Sequence, residues 1–397
     1  YKFSKGNLKL LSSTIAGNSL AGFYGAITKF LGMKINEHEY KVMGIAAYHQ
    51  SSKYINNIIK KFEELFYINR NLQFVSRGGL NYFLWFLNKY FSNERFDNIS
   101  AAAQIMVERK AIEWVVKAIK KYKISNICLT GGFFMNIKVN KLINELHEVK
   151  KLVVCPSSGD ESVPIGAAYY GNEKFNLRFK DTKKINNLYL GKKIDTENLN
   201  KVIKKFKLKK KVFKNYKDLN KYCAKLLKKD EIIARVCGRM EFGARALGNR
   251  SVLANPSNIN SLHNINKKIK KRDFWMPFAC SVLDKFQNLY LKDYKQTGLE
   301  YMSISCGTTE LGQKKLISAI HPFDKSARPQ IVKKTENEEY YDLINSYYKI
   351  TGTGALLNTS FNIHGEPVVM TVDDALKSFV NCGLNYIIIE NNLITKI

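Results

Sequence analysis

At 397 residues the chain has room for two domains with sizeable cores, and 45% hydrophobic and 25% charged residues suit a globular protein. No apolar run approaches the ~20 residues a bilayer-spanning helix needs, which excludes a helical membrane span. The 64 Lys+Arg against 34 Asp+Glu give +30, so a nucleic-acid or anionic-membrane surface stands beside the plainer reading of a solvated lysine-rich helix face. The seven cysteines (128, 155, 223, 237, 280, 306 and 382) are scattered and odd in number. They fit a reducing, cytoplasmic setting in which free cysteine packs as a small hydrophobe. The chain opens at Tyr1, so the lack of a signal peptide carries no weight.

In chain order, residues 18–48 are rich in small residues and end in Glu39-Tyr40-Lys41-Val42-Met43-Gly44. Residues 51–97 read as helix, loop and aromatic-rich insert. Ile99–Tyr122 has helical periodicity, and Ile124–Leu129 reads as a strand delivering Thr130-Gly131-Gly132. Strand, Gly-Gly and helix is a phosphate-loop design as well as an ordinary tight turn. A second strand at 152–155 leads to Ser157-Ser158-Gly159-Asp160, where the aspartate can ligate a cation or cap the next helix. The polar stretch 171–196 marks a domain boundary, giving domains 1–180 and 181–397.

The second half opens with a basic helix over 197–228, nine lysines and no acids falling between Lys201 and Lys217. The short strand Glu231–Cys237 then delivers the loop Gly238–Ser251, with Arg239, Arg245, Arg250 and Glu241. Glycines allow close backbone approach, and arginine forks suit carboxylate, carbamate or phosphate oxygens. On composition alone an ordinary surface loop is an equal reading. Further basic residues, Lys270, Arg272 and Arg328, also lie beside loops, and Asn358-Thr359-Ser360-Phe361-Asn362 follows an apolar run. Asp373–Asn381 reads as a helix and Tyr386–Glu390 as a closing strand. No Gly-x-Ser-x-Gly elbow and no zinc-spaced His/Cys set is present. The physical reading therefore ends at a phosphate-using enzyme with two sites.

Six motifs then carry a resemblance. Glu39–Gly44, Leu129–Asn136, Ser157–Asp160, Gly238–Ser251, Ile269–Phe278 and Asn358–Asn362 resemble, in order, those of the O-carbamoyltransferases of nodulation factors and aminoglycoside-type natural products. The resemblance implies a mixed α/β chain: the later portion of an actin/sugar-kinase-like domain, then a threonylcarbamoyl-adenylate-synthase-like twisted-sheet domain. It implies a carbamoyltransferase in which carbamoyl phosphate and ATP give carbamoyl-adenylate in the second domain. The first domain, holding an iron-type divalent metal, then passes the carbamoyl group to a small hydroxyl-bearing acceptor. By the same resemblance Lys270, Arg328, Asn358 and Ser360 bind carbamoyl phosphate or nucleotide. Arg239, Arg245 and Arg250 line or brace that pocket, unless at least one of them pairs with Glu241 instead, and Arg272 joins the binding set; Lys270, Arg245 and Arg328 form the catalytic set. Gly131, Gly132 and Asn136 approach the adenylate, Glu39 and Lys41 lie near it, and Asp160 is the metal ligand.

The sequence departs from the family pattern in places. The histidine pair and first phosphate loop that normally precede the counterpart of Ser19 are not in it, which implies a chain lacking its N-terminal portion. Met276 stands where the family often has arginine, and Ala244 and Cys280 replace prolines. A nucleic-acid-modifying transferase and a degenerate nucleotide-binding protein are the alternatives. Nucleic acid is the less favoured partner, and a homodimer is left open.

Overall fold

A computed structural model describes residues 1–4, 7–49, 52–175, 185–273, 275–295 and 298–396. The chain divides into two compact units, Tyr1–Thr182 and Lys183–Ile397. The boundary expected between 180 and 181 lies outside the described residues.

In the first unit, α1 (Leu20–Phe30) starts at Ser19, whose hydroxyl accepts the N–H of Ala21 and Gly22. Phe23 on α1 sits among Phe62, Phe66 and Phe83 with ring centroids 5.2–5.7 Å apart in edge-on contacts, so the aromatic-rich insert forms much of this core. That insert folds as helices Ser52–Glu63 and Leu80–Phe91 around the hairpin Phe66–Ile68/Phe74–Ser76. Next come α2 (Glu39–Ala46) and the long α3 (Phe96–Tyr122), which Lys123 ends in a left-handed conformation, φ 55°. β1 (Asn126–Leu129) and β2 (Lys151–Val154) pair in parallel, with α4 (Ile137–Glu145) as their crossover. Helices α1, α2 and α4 all pack on α3, which brings the residues near 24, 39, 104 and 136 toward one another.

The second unit is an eight-stranded mixed sheet. Its strands are β3 (Lys209–Val212), β4 (Ile233–Val236), β5 (Arg250–Ala254), β6 (Ala279–Leu283), β7 (Pro329–Val332), β8 (Ala355–Ser360), β9 (Tyr386–Ile389) and β10 (Asn392–Thr395). Their order across the sheet is β7-β6-β8-β5-β4-β9-β10-β3. Only β6–β7 and β4–β9 are parallel pairs. Helices α6 (Tyr216–Lys228) and α7 (Glu338–Thr351) pack together on one face. Their Leu219, Cys223, Leu227, Tyr340, Ile344 and Tyr347 meet Ile233, Leu253, Leu283, Val332, Leu356 and Ile388 of the strands. Side chains alternate along a strand, so Arg235, Ser251, Ser281, Gln330 and Asn358, two residues from members of that core, share its face. The helices start cleanly, with Asn215 and Asn337 accepting N–H groups of Asp218 and Tyr340.

Two expectations are corrected. Residues 197–228 are not one helix: α5 (Leu199–Lys205) ends before Lys207, which is left-handed at φ 52°, and β3 follows. Lysines 209, 210 and 211 sit on the outermost strand, all exposed, where charge discourages edge-to-edge pairing. Tyr386–Ile389 is not the closing strand either. Chain reversal after left-handed Glu390 adds β10, which joins β9 to the lysine edge. All seven cysteines are free, five of them buried.

Candidate functional site

The loop between β4 and β5 is held from behind by a polar scaffold. Glu241 Oε1 accepts the backbone N–H of Leu247, Asn249 and Arg250 at 2.7, 2.8 and 3.2 Å. Its carboxylate therefore closes the loop through the backbone. Arg250, fully buried and already on β5, donates to the carbonyls of Cys237, Asn249, Gly238 and Lys192 at 2.9–3.4 Å. Arg235 donates to Gly248 O and Asn249 Oδ1 at 2.7 and 2.8 Å, with its guanidinium over the Tyr340 ring. Arg239, exposed, donates to the carbonyls of Tyr189 and Leu190 at 3.1 and 2.6 Å. Gly248 is required at the far end: φ is 112°, and a Cβ there would lie 2.4 Å from Tyr340.

Three neighbouring strands supply the remaining anchors. Ser281 Oγ donates to Gln330 Oε1 at 2.7 Å, and Asn358 Nδ2 donates to Ser281 Oγ at 2.9 Å. Asn358 Nδ2 also reaches Ala246 O at 3.1 Å, and Gln330 Nε2 reaches Leu247 O at 2.8 Å. The buried β6–β7–β8 network thus fixes the carbonyls of Ala246 and Leu247, the two residues that follow Arg245.

Beside this loop four cations converge. Lys270 ends a widened helical turn, Asn266–Lys270, with Lys271 left-handed behind it at φ 45°. Its Nζ is buried and donates to Asn362 Oδ1 at 2.7 Å, Asn362 O at 3.1 Å and Ser360 Oγ at 3.2 Å. Burial, then the Arg272 charge, hold Lys270 well below the usual ammonium value. Arg328 is pushed well below the usual guanidinium value by burial, then by Arg245 and by Arg272. Its Nε is sealed from solvent and has no hydrogen-bond partner among the described residues. Arg272 lies 5.3 Å above the Phe278 ring, which orients it. Burial pushes the Cys280 thiol up to about 12, so it stays neutral beside Arg328. Mutually repelling cations with an unused buried donor suit a multiply charged anion.

In the first unit β1 runs into Gly131, whose φ of 100° turns the chain, and a Cβ on Gly131 or Gly132 would meet open space. Asn136 caps α4, its Oδ1 accepting Val139 N–H at 3.1 Å. It also exchanges two hydrogen bonds with Gln104, at 3.0 and 3.1 Å. Glu39 heads α2 and accepts the Asn36 N–H at 2.7 Å. Its charge helps raise the buried Tyr24 hydroxyl well above the usual phenol value, after burial and Glu108. Lys41 is half-buried on the same helix.

The fold therefore gathers Lys270, Arg245, Arg272, Arg328 and Ser360 at one place in the second unit. Asn358, Arg250 and Arg239 are anchors of the loop that donate to its carbonyls and their neighbours, although Arg250 Nε, like Arg328 Nε, is buried without a partner among the described residues. Glu241 takes the backbone N–H groups of Leu247, Asn249 and Arg250. Phe274, inside the motif Ile269–Phe278, lies outside the described residues, and Met276 is buried. Sequence reasoning missed Arg235, Ser281, Gln330, Asn362, Tyr24 and Gln104. The available signal was a polar residue at mid-strand among apolar ones, as in Cys280-Ser281-Val282 and Pro329-Gln330-Ile331.

Asp160 is exposed at the start of a short 3-10 turn. Among the described residues no group of three or more His, Cys, Asp or Glu comes together to hold a metal ion. No helix of the described residues is long and apolar enough to cross a membrane.

Comparison with known proteins matches residues 1–169 to the carbamoyltransferase N-terminus and residues 224–396 to the carbamoyltransferase C-terminus. An uncharacterized protein of Methanocaldococcus jannaschii is 31% identical over 96% of this chain and 62% of its own length. Nodulation protein NolO of Bradyrhizobium diazoefficiens is 28% identical over 96% of this chain and 69% of its own. The 3'-hydroxymethylcephem-O-carbamoyltransferase of Amycolatopsis lactamdurans is 24% identical over 67% of this chain and 48% of its own. The chain thus spans roughly half to two thirds of the length of these relatives.

Proposed function

This chain is a member of the carbamoyltransferase family, and on that premise we propose that it works as an ATP-dependent O-carbamoyltransferase. Carbamoyl phosphate is the donor, carbamoyl-adenylate the intermediate, and a hydroxyl of a sugar-containing or natural-product molecule the acceptor. The observation that carries this reading is the convergence of Lys270, Arg245, Arg272 and Arg328, with Arg328 Nε left unpaired.

A carbamate carbonyl is a poor electrophile, and linking it to AMP supplies a good leaving group. For atoms to balance, water releases carbamate and inorganic phosphate from carbamoyl phosphate. A carbamate oxygen then attacks the α-phosphorus of ATP and expels pyrophosphate. The acceptor hydroxyl finally attacks the carbamoyl carbon, loses its proton and expels AMP. In the first steps negative charge is carried on phosphate oxygens, which fixed cations stabilise without reorganising. Arg245 and Arg328 offer guanidinium forks and Lys270 a point charge oriented by Ser360 and Asn362. The Gly131–Gly132 turn and Asn136 serve the adenylate in the first unit.

Incubation of the protein with carbamoyl phosphate, ATP and candidate acceptors tests this. AMP, pyrophosphate and a carbamoylated acceptor should appear together; strict absence of nucleotide turnover, with divalent metal supplied, would sink the reading.

A further inference from the structure

Gln104, on α3, is buried and uses every hydrogen-bonding position it has. Its Oε1 accepts from Tyr24 Oη at 2.8 Å and from Asn136 Nδ2 at 3.0 Å. Its Nε2 donates to Glu108 Oε1 at 2.7 Å and to Asn136 Oδ1 at 3.1 Å. Glu108 settles which way round the amide sits, because a carboxylate only accepts and so requires the NH2 end. That orientation fixes the next amide: Asn136 must turn Oδ1 toward Gln104 Nε2, where it also accepts the Val139 N–H. One N–H of Asn136 then goes to Gln104, and the other has no partner among the described residues. Asn136 is half-buried, so a ligand can reach that N–H.

We propose that Gln104 is a positioning residue that locks Asn136 into meeting its substrate solely as a hydrogen-bond donor. The site then recognises an acceptor atom of an adenosine nucleotide, whether a ring nitrogen, a ribose oxygen or a phosphate oxygen. This rests on the reading that Asn136 approaches the adenylate. Tyr24 completes the lock, and since Glu39 also acts on Tyr24, two motifs 97 positions apart are joined through Tyr24 and Gln104.

The test is calorimetric titration of the full chain with AMP at pH 7.5 and 5.5. The component of binding abolished by Asn136→Asp, which removes the donor, identifies the site. Gln104→Glu should weaken that component at least tenfold at pH 7.5, because a carboxylate cannot donate to Asn136 and repels Glu108. Lowering the pH to 5.5 should restore much of the affinity as the new carboxyl regains a proton. Gln104→Met should stay weak at both. Should the variants not fold, selective asparagine 15N labelling of the wild type reads the same lock: one of the two Asn136 amide protons should shift strongly on adding AMP. Equal AMP affinity in wild type and Gln104→Glu, a loss that ignores pH, or an unmoved Asn136 amide would overturn the proposal. No AMP component in the wild type would overturn the adenylate reading beneath it.

Discussion

Lys270 Nζ lies 2.7 Å from Asn362 Oδ1, and this contact joins a lysine on a widened helical turn to the loop that follows β8. Asn362 in turn takes the Ser360 hydroxyl at 2.7 Å, so the ammonium is cradled by two neutral oxygens and one carbonyl rather than by a carboxylate. A buried cation held this way is preorganised for an anion that the protein does not itself supply.

The first prediction concerns pH. The folded value of Lys270 lies well below 10.5, so the folded state gives up its proton before the unfolded state does. Stability contributed by this group therefore rises with pH between the lowered folded value and the unfolded one, and its cost is fully present below that window. An anion reverses the balance by favouring the charged form. Inorganic phosphate should raise the melting temperature more at pH 6.5 than at pH 9.5. Lys270→Met should flatten that difference, as read by thermal denaturation.

Arg328→Met keeps the apolar stem and removes a cation repelled by Arg245 and Arg272. Urea unfolding without ligand should show stability unchanged or higher, while the KM for carbamoyl phosphate rises tenfold or more. A large loss of stability would mean that the guanidinium is a fold element instead.

Arg245→Ala should weaken carbamoyl phosphate use without unfolding the protein, since Ala246 and Leu247 next to it are anchored through their own carbonyls. If the melting temperature falls and turnover per folded molecule is unchanged, Arg245 is structural.

Arg250→Ala should behave in the opposite way. Removing it leaves the carbonyls of Cys237, Gly238 and Lys192 without these donors, a cost of about 3 kcal/mol or more. Equilibrium unfolding should report that loss, and the surviving folded protein should retain its affinity for carbamoyl phosphate.

Arg245 and Arg250 show how far the sequence could be read. Both sit in one arginine-bearing motif, and nothing in residue type separates the arginine beside Arg328 from the one buried behind the loop. Their fates differ because Arg250 begins β5, opposite Val236 of β4, where a long side chain can only turn back onto loop carbonyls. Elements with strong local signals were legible: the periodicity of Ile99–Tyr122 is realised in α3, and Leu152–Cys155 in β2. The 197–228 region was not, because lysine spacing fits a helix face and an exposed edge strand equally well. Ser281, Gln330 and Asn358 were not joined either, since a network across three strands depends on the order β7-β6-β8, which chain position conceals.

In the proposed reaction the cluster of Lys270, Arg245, Arg272 and Arg328 forms an adenylated carbamoyl group. Isotope exchange between labelled pyrophosphate and ATP measures this step directly, without any acceptor. Label should enter ATP in the wild type only when carbamoyl phosphate is present, and its entry should fall at least tenfold in Arg328→Met. Exchange that proceeds equally without carbamoyl phosphate, or no exchange in folded wild-type protein, would contradict it.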